Sequence, residues 1–260
     1  MKNNKETSMK IKWIPAIATI SLMGLSAATS QAAEPALEPM PAALESQYAL
    51  SALPPALREY ATVYLLDPRK GYYVSQQGTS GVACLVERTQ WELGDFGDAI
   101  FIPLCYDAGG TKTYLKVIMD AAALRAQGTD AAALKAEIDK RWKNKTYKVP
   151  EKDGLSYMIA PVMRTQGPPD MKVHTMSMPH IMYYAPGITN EDIGARPNLG
   201  DHDSLLFPLI DKQGIPEQSY MVQLLGDSEK AKILAEGKPL LDALCAYSQV
   251  LCVGKAHEAH

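Results

Sequence analysis

Residues 171–186, MKVHTMSMPHIMYYAP, place four methionines, two histidines and two tyrosines in sixteen positions. In an extended strand successive side chains alternate between faces, so His174, Met176, Met178, His180, Met182 and Tyr184 would share one face. That face carries thioethers and imidazoles, which suit soft metals and Cu(I) in particular. At about 3.3 Å per residue the two histidines stand roughly 20 Å apart, too far for one ion. A metal would therefore sit with Met178, His180 and Met182, with copper the cofactor this donor set points to. The competing reading is a packed strand, because methionine is also a pliable core filler.

Just beyond, Thr189-Asn190-Glu191-Asp192 reads as a helix start, with Thr189 or Asn190 capping and carboxylates in the first turn. This places Asp192 beside the strand end, where it and His180 would make an acid and base pair, and Met178, Met182 and Tyr184 would line a ligand pocket with them. Asp201-His202-Asp203 reads as a solvated loop, with Asp203 the other carboxylate a hydrolase or lyase would pair with His180. The terminal His257-Glu258-Ala259-His260 lacks the spacing of the zinc protease helix. No G-x-S-x-G, H-E-x-x-H, G-x-G-x-x-G or Walker lysine motif occurs in the chain, which removes the commonest enzyme classes.

The elements that must position these residues are read from periodicity. ATVYLLD, YYVSQQ and VACLVER, separated by turns at 68–71 and 78–81, predict a three-strand meander. TKTYLKVIMDAAALRAQG repeats apolar residues at helical spacing and stops at Gly128. Thr129 is the expected cap of a second helix whose Ala131, Leu134, Ile138 and Trp142 share a face, with Lys140, Arg141, Lys143 and Lys145 crowding its last turn where the helix dipole favours cations. Strand patterns return in GLSYMIAPVM, in the 171–186 stretch, in SLLFPLI and in SYMVQLLG. The class predicted is α+β, a mostly antiparallel sheet with a helical hairpin inserted between strand groups and helices on one face.

The first 32 residues read as a cleaved signal peptide: Lys2, Lys5, Lys10 and Lys12 precede an apolar run from Trp13 to Ala28, followed by small residues. The run is shorter than a membrane span needs, and no cysteine near the cleavage site supports a lipid anchor. Residues 33–57 are an expected Ala- and Pro-rich tether in which Ala42 to Leu53 could make a short helix, 58–226 one domain, and 227–260 a helical extension. Cleavage removes four Lys and one Glu, which leaves 22 basic and 28 acidic residues and a formal net charge of −6. That balance argues against nucleic acid and anionic membrane surfaces as partners. In an oxidising compartment the four cysteines, Cys84, Cys105, Cys245 and Cys252, are expected to form two disulfides, nearest neighbours paired.

ATVYLL, GTSGVACLV, PLCYD, SYMIAP, PHIMYYAP and SLLFPLI, in this order behind a signal peptide, resemble a group of uncharacterised exported bacterial proteins across most of residues 58–225. The resemblance carries no catalytic or binding residue, and it strengthens the Cys84 with Cys105 pairing. The expectation is a periplasmic or secreted protein that binds a small molecule or soft metal ion without chemistry of its own. The rival expectations are a hydrolase or lyase built on a His and Asp pair, and an envelope interaction module presenting the Cys245 and Cys252 element.

Overall fold

A computed structural model describes residues 37–253, so the signal peptide at 1–32 and the terminal histidines lie outside the described residues. The elements run α1 (Ala42–Ser51), β1 (Thr62–Asp67), β2 (Gly71–Gln76), β3 (Ala83–Glu87), β4 (Ile102–Tyr106), α2 (Ala108–Lys112), α3 (Tyr114–Ala126), α4 (Ala131–Lys143) and β5 (Leu155–Met158). They continue β6 (Met163–Gly167), β7 (Lys172–Met176), β8 (His180–Tyr184), α5 (His202–Leu205), β9 (Leu209–Lys212), β10 (Ser219–Leu224), α6 (Asp227–Glu236) and α7 (Lys238–Tyr247). Eight strands form one sheet in the order β2-β1-β3-β4-β5-β8-β10-β9, and β6 and β7 pair separately. The class is α+β, with the α3–α4 hairpin inserted between β4 and β5 as the periodicity predicts.

Three expectations change. The first strands are not a meander: β3 pairs with β1 in parallel, leaving β1 between β2 and β3. The chain achieves this by passing tightly round the start of β1, where Thr79 and Ser80 donate their backbone N–H groups to the Tyr60 carbonyl. A Cβ at Gly78 would run into that carbonyl, so only glycine allows the approach.

Helices cover both faces of the sheet, not one. In β3 and β4 all five residues are buried, which requires cover on both sides. Leu85, Leu104 and Tyr106 pack with Leu115, Ile118, Leu134 and Ile138 of the hairpin. Cys84, Val86 and Cys105 pack on the opposite face with Tyr48 and Ala49 of α1 and Leu244 of α7.

The expected tether is largely part of the domain. Tyr48, Ala49, Ala52 and Leu53 are fully buried, and the Tyr48 hydroxyl donates to the Val162 carbonyl at 3.0 Å. Glu45 accepts the Leu66 N–H at 2.9 Å.

Local details follow the same physics. Gly128 ends α3 at φ +83°, but Asp130 and not Thr129 caps α4, accepting the Ala133 N–H at 2.8 Å. Arg141 does more than answer the helix dipole: it bridges Glu137 and Asp120 and so ties α4 to α3. Both expected disulfides are present, Cys84 with Cys105 and Cys245 with Cys252. The first joins directly opposed residues of β3 and β4. Among the described residues no helix is long and apolar enough to cross a membrane.

Candidate functional site

The 171–186 stretch does not form one strand. It divides at Ser177-Met178-Pro179 into β7, which pairs with β6, and β8, which sits between β5 and β10 in the main sheet. Proline lacks the N–H a strand interior needs, so the break falls where the sequence places it. The predicted stripe is therefore cut. His174 leaves with β7 and binds Asp170 at 2.6 Å, while His180 becomes a 3 % exposed residue of the sheet.

Pairing of the strands then decides what His180 faces. Met158 stands directly opposite His180, Ser156 opposite Met182, and Val222 opposite Met182 on the other side. Carried across the sheet, the pleat puts Glu87, Leu104, Tyr106, Met158, His180, Met182, Val222, Leu209 and Asp211 on the same face. That face lines a cavity of about 340 Å³, within the usual range for small-molecule sites. The β6–β7 pair supplies Met163, Thr165 and Gln166 to its wall, and the loop before β9 supplies Asn190, Pro197 and Leu199. Gln90 and Glu92 close it from the β3–β4 connection. Trp91 packs so close to Gly214 that a Cβ there would enter the indole ring, and Gly214 has φ +78°. Glycine at this point lets the β3–β4 connection meet the β9–β10 hairpin.

Five methionines line the cavity: Met158, Met163, Met171, Met178 and Met182. His180 Nδ1 lies 2.6 Å from the Met178 carbonyl. A carbonyl only accepts, so Nδ1 carries the proton and the neutral ring leaves Nε2 a bare lone pair. Burial pushes the His180 pKa below its ordinary 6.5, against the Met178 hydrogen bond that raises it. The ring is thus held neutral, the form that accepts hydrogen bonds or ligates metals.

Three carboxyl side chains line the same cavity. Burial lifts Glu87 well above the usual carboxylate range, with the charge of Glu92 adding to the effect. Burial lifts Glu92 to about 7, with a backbone hydrogen bond and one from Gln90 opposing and Asp211 adding. Asp211 is raised by burial as well. Glu87 was legible in part, since it shares strand parity with Leu85, whereas Asp211 was not, since the expected strand SLLFPLI ends at Ile210 and the observed β9 runs on to Lys212. Glu92 and Met158 had no such signal, as one lies in a connection and the other is linked to His180 only by pairing.

Of the residues predicted for a site, Met178, His180 and Met182 come together in the cavity. Tyr184 does not: its hydroxyl is engaged with Asp107 at 2.7 Å and the Leu155 carbonyl at 2.8 Å, and its ring packs among Tyr106, Tyr114 and Tyr220. Asp192 is also elsewhere. It is exposed, and it accepts the Thr189 N–H and hydroxyl, closing a turn where a helix was expected. Asp203 is exposed, and Asp201 caps α5. His202 pairs with Asp227 at 3.1 Å. Among the described residues no three of His, Cys, Asp and Glu converge as a metal group, so any metal here would need the thioethers.

Fold and site together define a cavity-bearing α+β domain. Comparison with protein-family models, with curated proteins and with solved structures gives no match.

Proposed function

We propose that this chain is an exported, non-catalytic binding protein whose small ligand occupies the cavity over β5, β8 and β10. The observation that carries the reading is the placement of His180, neutral and with Nε2 unprotonated, in an apolar cavity lined by the sheet's own face. Its export rests on the signal-like residues 1–32, on the resemblance to exported bacterial proteins, and on two disulfides, which persist in oxidising compartments.

A soft metal ion is the second reading, favoured by one observation: Met158 lies directly across from His180, with Met178 and Met182 on the same cavity. Directly opposed side chains have Cβ atoms about 5 Å apart, close enough for an imidazole and a thioether to reach one copper ion. The hydrolase or lyase reading has less support. His180 has no carboxylate hydrogen-bond partner among the described residues, and Asp211 lies four residues further along the strands, about 13 Å away in that direction alone.

Native mass spectrometry of the protein purified from the periplasm without chelator tests the reading. An organic adduct or copper is expected on the wild type and lost in a folded His180→Ala. Retention of the adduct by that variant would overturn the assignment of the site.

A further inference from the structure

We infer that the cavity takes an organic cation, a molecule with an apolar body and an ammonium or guanidinium head seated against Glu87, Glu92 and Asp211. The inference rests on the cavity being a binding site and adds the chemistry of its occupant.

The charge of the lining is one-sided. Glu87, Glu92 and Asp211 contribute carboxyl groups, and neither a lysine nor an arginine lines the cavity among the described residues. An anionic ligand would meet three acids, and the one cation whose charge opposes the rise of Glu92, Lys135, stands outside the lining. The apolar remainder, methionine and leucine side chains with Val222 and the Tyr106 ring, gives a non-polar body its place.

Glu87 presents an open carboxyl to the cavity. It is 8 % exposed, it lies on the cavity face, and its carboxyl has no hydrogen-bond or ion-pair partner among the described residues. Buried carboxyls are ordinarily matched, and elsewhere in this protein Glu45 is matched by the Leu66 N–H. The cation next to Glu87 in sequence cannot serve. Arg88 is turned to the opposite face by the pleat, where it donates to the Ile100 carbonyl at 2.9 Å and stacks on Phe101. Lys135 lies over the Trp91 ring and pairs with Asp139.

The arrangement selects an organic cation over a metal ion. The three carboxyls do not converge as a metal group, whereas an ammonium or guanidinium head carries several N–H donors pointing in different directions. Gln90, which donates to Glu92 at 3.1 Å and accepts from Thr165 at 2.9 Å, holds the middle carboxyl in place. Arrival of a cation would keep the carboxyls ionised, the reverse of what burial alone imposes.

Calorimetric titration of the purified chain at pH 7.5 with octylamine, octan-1-ol and octanoate decides the matter. These probes share one apolar body and differ only in the head. Octylamine is expected to bind at least tenfold more tightly than octanol, with no binding of octanoate. The isosteric Glu87→Gln is expected to weaken octylamine about tenfold and leave octanol unchanged. Octanol or octanoate binding as tightly as the amine would overturn the charge assignment while leaving the cavity as a binding site. Failure of all three probes would overturn the cavity reading together with this one. Because the wild-type comparison needs no variant, a misfolded Glu87→Gln leaves the result decisive.

Discussion

Buried titratable side chains dominate the chemistry of this protein at the scale of single residues. Glu45 and Glu92 are lifted to about 7, chiefly by burial, and Glu87 and Asp211 are raised for the same reason. Each holds its proton more tightly folded than unfolded. For Glu45 and Glu92 the contribution to stability is complete below the ordinary value of 4.5 and is lost as pH climbs through the folded value of about 7, and Glu87 and Asp211 act in the same direction. His180 acts in the other direction, its lowered pKa giving stability above 6.5 that is lost as pH falls. Four carboxyls outweigh one imidazole, so thermal stability should fall as pH rises from about 5.5 to 8. Replacing Glu45 by Gln, which still accepts the Leu66 N–H, should raise stability at pH 8 by about 2 kcal/mol and change little at pH 5. Melting curves across that range check both, and a stability maximum at pH 8 would sink the idea. The sequence showed His180 as an ionisable group in an apolar run. It could not show that the carboxyls share the cavity, since Glu87 and Asp211 are 124 positions apart in the chain and meet only through the sheet.

At the scale of elements, the burial of α1 and the separate strand pair β6–β7 are what composition concealed. Residues 33–57 are rich in Ala and Pro and resemble a linker, yet Tyr48 and Ala49 fill the side of the sheet opposite the cavity. Truncation through Leu53 should therefore unfold the domain or lower its melting temperature by more than 10 °C, since it removes several fully buried side chains worth about 2 kcal/mol or more each. A truncated chain melting like the parent would restore the tether reading. The hairpin α3–α4 was legible because a helical face repeats locally and Gly128 marks its turn, although the cap fell one residue later than expected, at Asp130. The parallel placement of β3 beside β1 was not legible, because local pattern cannot tell on which side of β1 the returning chain passes.

Across the whole molecule the sheet separates two cores with different duties. One holds the cavity and the α3–α4 hairpin, and the other holds α1, α7 and the Cys84–Cys105 disulfide. Cys84 and Cys105 point away from the cavity, so replacing both by Ala should cost about 3 kcal/mol of stability while leaving octylamine affinity within about twofold below the melting transition. Calorimetric melting and titration of that variant measure the two effects separately, and a parallel loss of affinity would show the two cores to be coupled. Leu244 and Leu251, beside the second disulfide, are fully buried, and Cys245–Cys252 ties α7 to the turn at Gln249–Leu251 that follows it.

The sequence by itself determined the α+β class, the helical hairpin, the nearest-neighbour disulfides and the gathering of Met178, His180 and Met182, because each depends on local periodicity or short separation. Only the tertiary structure decided that helices cover both faces, that His174 and Tyr184 leave the site, and that Met158, Glu87, Glu92 and Asp211 enter it. Strand order and sheet curvature bring those residues together, and these depend on contacts between segments far apart in the chain, which no local pattern encodes.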